Sequence, residues 1–75
     1  MVEIYGASWC SFCKSAVKLC ESLEIAYKYI DIDESSNMIV LEERMGITPR
    51  TVPQIFLDGK YVEGGFTGLR NTLSK

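Results

Sequence analysis

Apolar residues recur along this 75-residue chain with two different periods. Val2 to Tyr5 is a short apolar run stopped by Gly6, the pattern of a brief strand. Phe12, Cys13, Ala16, Leu19, Cys20 and Leu23 then recur at spacings of three and four, which predicts a helix from residue 11 to about 24. Lys14, Lys18 and Glu21 take its other side. Ala26 to Asp33 alternates instead, with Lys28, Ile30 and Ile32 on one face and Tyr27, Tyr29 and Asp31 on the other. That period of two, in β-favouring residues, predicts a strand. Ser35 or Ser36 is placed to cap a second helix with Met38, Leu41 and Met45 on its buried side, and Gly46 supplies a left-handed stop. Thr48 to Thr51 reads as loop, Val52 to Leu57 as a strand, Asp58-Gly59 as a hairpin turn and Lys60 to Glu63 as the returning strand. Gly64-Gly65 breaks that strand, and Thr67 is placed to cap a last helix reaching to about Leu73.

The predicted order is strand, helix, strand, helix, strand, strand, helix. A helical crossover makes the first two strands parallel and right-handed in their connection. The turn makes the last two antiparallel. An α/β protein with a four-stranded mixed sheet and helices packed on it follows. The length has room for one domain, residues 1–75, with one compact core. No run of about 18 apolar residues is present, so no membrane span is expected. No basic-then-apolar leader opens the chain, so export is not indicated. A net charge of −2 argues against a nucleic-acid partner. The chain has no histidine, which removes the commonest general base and metal ligand. Three cysteines are too few for a disulfide scaffold and fit a reducing, cytoplasmic setting.

Candidate chemistry begins at Ser8-Trp9-Cys10-Ser11-Phe12-Cys13-Lys14. Cys10 falls just before the first turn of the first helix, where unpaired N–H groups and the helix dipole favour an anion. A thiolate is such an anion, which makes Cys10 the attacking sulfur. Cys13, one turn further on the apolar stripe, is the shielded resolving thiol that closes a Cys10–Cys13 disulfide. Cys20 lies seven residues beyond, roughly 10 Å along the axis, too far for a disulfide. It reads as a core residue. A structural zinc site needs four ligands, and the chain offers neither a second such pair nor a histidine.

Two further stretches stand out. Thr51-Val52-Pro53 opens a strand with a residue that cannot donate to the ladder. The dipeptide alone favours an ordinary trans proline; a cis bond would leave the Val52 N–H and C=O open to an incoming extended peptide. Gly64-Gly65-Phe66-Thr67-Gly68 permits close backbone approach, and the helix start beyond it can hold a carboxylate. It also reads as a plain strand-to-helix turn. Lys14 and Arg50 are candidates to flank the thiolate and draw in anionic groups, although each alone also reads as a solvated charge.

Together these motifs resemble the glutaredoxins, in order and over nearly the whole length: the strand, Cys-X-X-Cys at 10–13, Ala16, Thr51-Val52-Pro53-Gln54-Ile55-Phe56, and Gly64-Gly65-Phe66-Thr67. The resemblance implies a thioredoxin-like fold, a cis proline at Pro53 and glutathione as redox partner. It carries a glutathione groove onto Phe12, Thr51, Val52, Pro53, Gly65, Phe66 and Thr67. The chain departs from the family pattern at four places. Ser11-Phe12 stands where the family usually has Pro-Tyr, Gly68 where an acidic residue often follows the threonine, and Ala7 where a basic residue often precedes the first cysteine.

The activity implied is reduction of protein disulfides and of protein–glutathione mixed disulfides by a monomer. Glutathionylated proteins and ribonucleotide reductase are among the targets that the resemblance brings in. Two alternatives stay open. One is a redoxin reduced by thioredoxin reductase, in keeping with Ala7 and Gly68. The other follows from Ser11, because some glutaredoxins with serine there hold a 2Fe-2S cluster between two subunits, each giving its first cysteine and one glutathione. Thiolate ligation suits that chemistry, and Cys10 would be the ligand here.

Overall fold

The computed structural model describes residues 1–49 and 51–74. Its elements are β1 (Val2–Gly6), α1 (Ser11–Ser22), β2 (Tyr27–Asp31), α2 (Ser35–Met45), β3 (Gln54–Leu57), β4 (Lys60–Val62) and α3 (Gly65–Leu73). The strands form one sheet in the order β2-β1-β3-β4. β1 runs parallel to β2, with Ile4 opposite Tyr29, and antiparallel to β3, with Ile4 opposite Ile55. β3 and β4 form the antiparallel hairpin. The mixed sheet with three helices is the thioredoxin-like fold.

Alternation along the strands sorts the core onto two faces. Val2, Ile4, Ile55 and Val62 meet Ala16 and Cys20 of α1 and Leu69 of α3 on one face. Tyr5 and Phe56 meet Leu41 of α2 on the other, with Ile30, Ile32, Met38 and Met45 packed around them. The central β1 and β3 are therefore covered on both sides, and the predicted faces of β2 hold, with Tyr27 toward α1 and Ile30 toward α2.

β2 and β4 are shorter than the stretches Ala26 to Asp33 and Lys60 to Glu63 that the sequence predicts, and four other boundaries differ for local reasons. α1 stops at Ser22 because Glu24 turns left-handed, at φ 56°. Glu24 N–H then donates to Glu21 O and Ile25 N–H to Cys20 O, the paired bonds of a Schellman ending, with Ile25 delivered to the core. α2 is capped by Glu34 rather than Ser35 or Ser36, and Glu34 makes no side-chain capping bond. Asp31 sets that entry: its Oδ1 accepts from Asp33 N–H and its carbonyl from Asn37 Nδ2. β3 begins at Gln54, leaving Val52 and Pro53 outside the ladder. α3 begins at Gly65 with Gly64 as its cap, so Thr67 lies inside the first turn instead of capping it. The double glycine, with φ 89° and 57°, turns the chain before Thr67 is reached.

Candidate active site

Helix α1 starts where β1 ends, and Cys10 is its N-cap. The Cys10 backbone is extended, and its sulfur accepts the Cys13 amide N–H at 3.3 Å. A side-chain acceptor of that kind satisfies one of the orphan donors of the first turn. The same thiol also donates toward the Val52 carbonyl oxygen, 3.6 Å away. Cys10 is 7% exposed and Cys13 fully buried, while Trp9 and Phe12 on either side stand out into solvent. All three cysteines are free thiols.

The two sulfurs sit in different surroundings. Burial, and then the hydrogen bond with Cys10, push the Cys13 thiol up to about 12, so it is neutral at ordinary pH. Cys20 is also raised, chiefly by burial, and lies in the core cluster as the sequence reading expected. Gly6 is a residue the sequence reading treated only as a strand end. A Cβ there would lie 2.7 Å from Cys13 Sγ, 2.9 Å from Cys13 Cβ and 3.2 Å from the Tyr29 ring. Gly6 is thus the space in which Cys13 sits.

Beside Cys10 runs a cleft of about 260 Å³. Phe12, Thr51, Val52, Pro53, Gly65, Phe66 and Thr67 all line it, so the structure brings together the whole groove read from the motifs. The Val52–Pro53 peptide is cis, as the resemblance implied and against the reading of the dipeptide alone. Gly65 is packed on Pro53: a Cβ there would meet the Pro53 carbonyl at 3.3 Å. The Phe12 and Phe66 rings face each other at 6.2 Å between centroids and form an apolar wall across α1 and α3.

Lys14 is not part of the cleft. It borders a separate depression with Val17, Lys18, Tyr27 and Tyr29. Helical period explains this: at about 100° per residue, Lys14 is turned roughly 200° from Phe12, the α1 side chain that faces the cleft. Arg50 lies outside the described residues. Gln54 and Tyr61 line the cleft but were missed as site residues, because the signal lies in the pairing of β3 with β4 rather than in a motif. Gly68, where the family often has an acid, has a steric reason. A Cβ there would fall 1.7 Å from the Glu63 carbonyl oxygen. Among the described residues, no three of His, Cys, Asp and Glu converge to hold a metal ion, and no helix is long and apolar enough to cross a membrane.

A thioredoxin-like sheet, a thiol pair at a strand–helix junction and a cis proline beside it define a dithiol protein of the thioredoxin-like class. The family model described as glutaredoxin matches residues 2–62. Glutaredoxin 1 of Salmonella typhimurium is 39% identical over 67 residues, covering 81% of this chain and 77% of that protein. Glutaredoxin-C6 of Oryza sativa subsp. japonica is 35% identical over 65 residues, which is 84% of this chain but 58% of the rice protein. A buckwheat glutaredoxin solved in complex with glutathione superposes with a TM-score of 0.76 at 26% identity, covering 97% of this chain and 67% of that one. The chain belongs to the glutaredoxin family. Glutaredoxins are thiol–disulfide oxidoreductases.

Proposed function

We propose that this chain reduces protein disulfides and protein–glutathione mixed disulfides with electrons from glutathione, acting as a monomer in a reducing, cytoplasmic setting. The observation that carries the reading is the Cys10 sulfur, seated on the Cys13 amide at the positive end of α1 and 3.6 Å from the carbonyl of Val52, a residue that lines the cleft. In the one-thiol route the Cys10 thiolate attacks the glutathione sulfur of a mixed disulfide. The S–S bond of the mixed disulfide breaks, the protein leaves as a thiolate that takes a proton, and Cys10 is left in disulfide linkage to glutathione. The thiolate of a second glutathione attacks that glutathione sulfur, giving oxidised glutathione and free Cys10. In the two-thiol route Cys10 attacks a protein disulfide. Cys13 then loses its proton and attacks the Cys10 sulfur, releasing the second protein thiol and forming the Cys10–Cys13 disulfide. Two glutathiones return it to the dithiol. When Cys10 ionises it gives up its bond to the Val52 carbonyl, which becomes available to an N–H of the incoming chain.

The wall of Phe12 and Phe66 supplies apolar contact for the mixed disulfide, and the start of α3 supplies donors for a carboxylate. The buckwheat complex supports glutathione as the occupant. The test is reduction of a glutathionylated peptide with glutathione and its reductase, then with thioredoxin reductase, as the electron source. Turnover is expected with glutathione; turnover only with thioredoxin reductase rejects the reading. Cys10→Ser is expected to abolish it, while Cys13→Ser keeps deglutathionylation and loses disulfide reduction. The cluster-bridged alternative is separated by anaerobic reconstitution with iron, sulfide and glutathione. A brown dimer supports that alternative and a colourless monomer supports the enzyme.

A further inference from the structure

One wall of the cleft is polar, and the directions of its hydrogen bonds are forced. The Gln54 side chain is buried, 6% exposed. Its Nε2 lies 2.7 Å from the Thr51 carbonyl oxygen and 3.2 Å from Thr51 Oγ1. A carbonyl oxygen only accepts, so the atom facing it must be the amide NH₂. The other amide atom, Oε1, then faces the Tyr61 hydroxyl at 2.6 Å. Oε1 only accepts as well, so the Tyr61 proton points at Gln54. Tyr61 borders the cleft and is 44% exposed, with its proton already committed. What its oxygen offers a ligand is therefore lone pairs alone. It accepts an N–H and has no proton left for a carboxylate. Thr67 and the first turn of α3, also on the cleft, offer the reverse: donors and the positive end of a helix.

We propose that Tyr61 is a specificity-determining residue of the cleft, whose hydroxyl oxygen accepts a hydrogen bond from the free α-ammonium of the ligand's γ-glutamyl group. That group carries a carboxylate and an ammonium on one carbon, the pair of opposite demands that α3 and Tyr61 present together. The inference rests on the glutathione reading above. It is tested with one peptide carrying glutathione in disulfide linkage and the same peptide carrying N-acetylglutathione, each turned over by the intact chain and by Tyr61→Phe. The unaltered protein is expected to show a KM about tenfold lower for the free amine, the scale of a hydrogen bond from a charged donor. Tyr61→Phe is expected to raise that KM to the acetylated value with kcat little changed. Equal KM values for the two substrates in the unaltered protein overturn the proposal without any variant. So does a Tyr61→Phe protein whose two KM values rise together, because Tyr61 would then only prop Gln54. Turnover of neither substrate by the unaltered protein rejects the glutathione reading itself.

Discussion

On one face of the sheet α1 and α3 press Ala16, Cys20 and Leu69 onto Val2, Ile4 and Ile55. On the other face α2 covers Tyr5 and Phe56 through Leu41, and leaves Ile39 and Val40 exposed. The first face is limited by space: Gly6 and Gly68 are glycines because a single methyl group there would strike Cys13 or the Glu63 carbonyl. The second is held by Leu41, the fully buried side chain of α2, by the partly buried Met38 and Met45 beside it, and by a polar clamp. Arg44 reaches both carboxylate oxygens of Glu3 at 3.0 and 3.2 Å, donates to the Tyr5 hydroxyl and lies 3.8 Å over the Phe56 ring. An arginine fork of this kind adds geometry as well as attraction. The contrast teaches that close packing is concentrated where the thiols must be placed. The α2 face supports the sheet but does not set the position of either sulfur.

The largest expected effect breaks the supporting face. Leu41→Ala removes a fully buried side chain and is expected to cost about 2–5 kcal/mol of stability. The activity of the remaining folded molecules should be unchanged, which denaturant titration beside single-substrate rates will show. A loss of activity larger than the unfolded fraction would mean that α2 does position the site. Next comes Gly6→Ala, expected to cost about 1–3 kcal/mol as an overpacking change. Here the chemistry should suffer beyond the stability loss. The added methyl displaces Cys13, so disulfide reduction falls while deglutathionylation through Cys10 persists. Equal losses in the two assays would contradict the role given to Gly6.

The third effect is on pH, and it is small near pH 8 and grows as the pH rises. The folded state holds Cys13 as a neutral thiol up to about 12, whereas in the unfolded chain it ionises at its ordinary value of 9.0. Between those values the unfolded state binds fewer protons, so stability falls as pH rises. The contribution is complete below about pH 9 and lost as pH passes about 12. Cys20 and Tyr29, also raised by burial, act in the same direction. Urea midpoints measured from pH 8 upward should therefore decline. A flat profile would contradict the burial assigned to these groups.

Much of this contrast is legible in the sequence. The three-and-four spacing of Ala16 and Cys20, the alternation of Tyr27 to Ile32 and the Asp58-Gly59 turn are local signals, and they give the elements, the parallel first pair and the antiparallel hairpin. The order β2-β1-β3-β4 needs the long-range pairing of β1 with β3, which no local signal carries. Cys10 was readable because its chemistry depends on a helix start, and helix starts are local. The groove was readable because its residues cluster in three short motifs that the family resemblance ties together. What escaped depends on distant parts of the chain meeting. Gly6 matters only once α1 folds back over β1, and the Gln54–Tyr61 bond only once β3 and β4 are in register. Thr67 misled because Ser and Thr favour caps in general. The positive φ angles of Gly64 and Gly65 had moved the cap upstream. Lys14 misled because nearness in sequence to Cys10 is not nearness to the cleft.

The division of labour between the two thiols underlies every step proposed, and competitive alkylation addresses it directly. The reduced protein is given less than one equivalent of iodoacetamide at neutral pH, and the label is located by mass spectrometry of its peptides. The label is expected on Cys10, with Cys13 and Cys20 untouched until the protein unfolds. Label appearing on Cys13 as fast as on Cys10 would contradict the account.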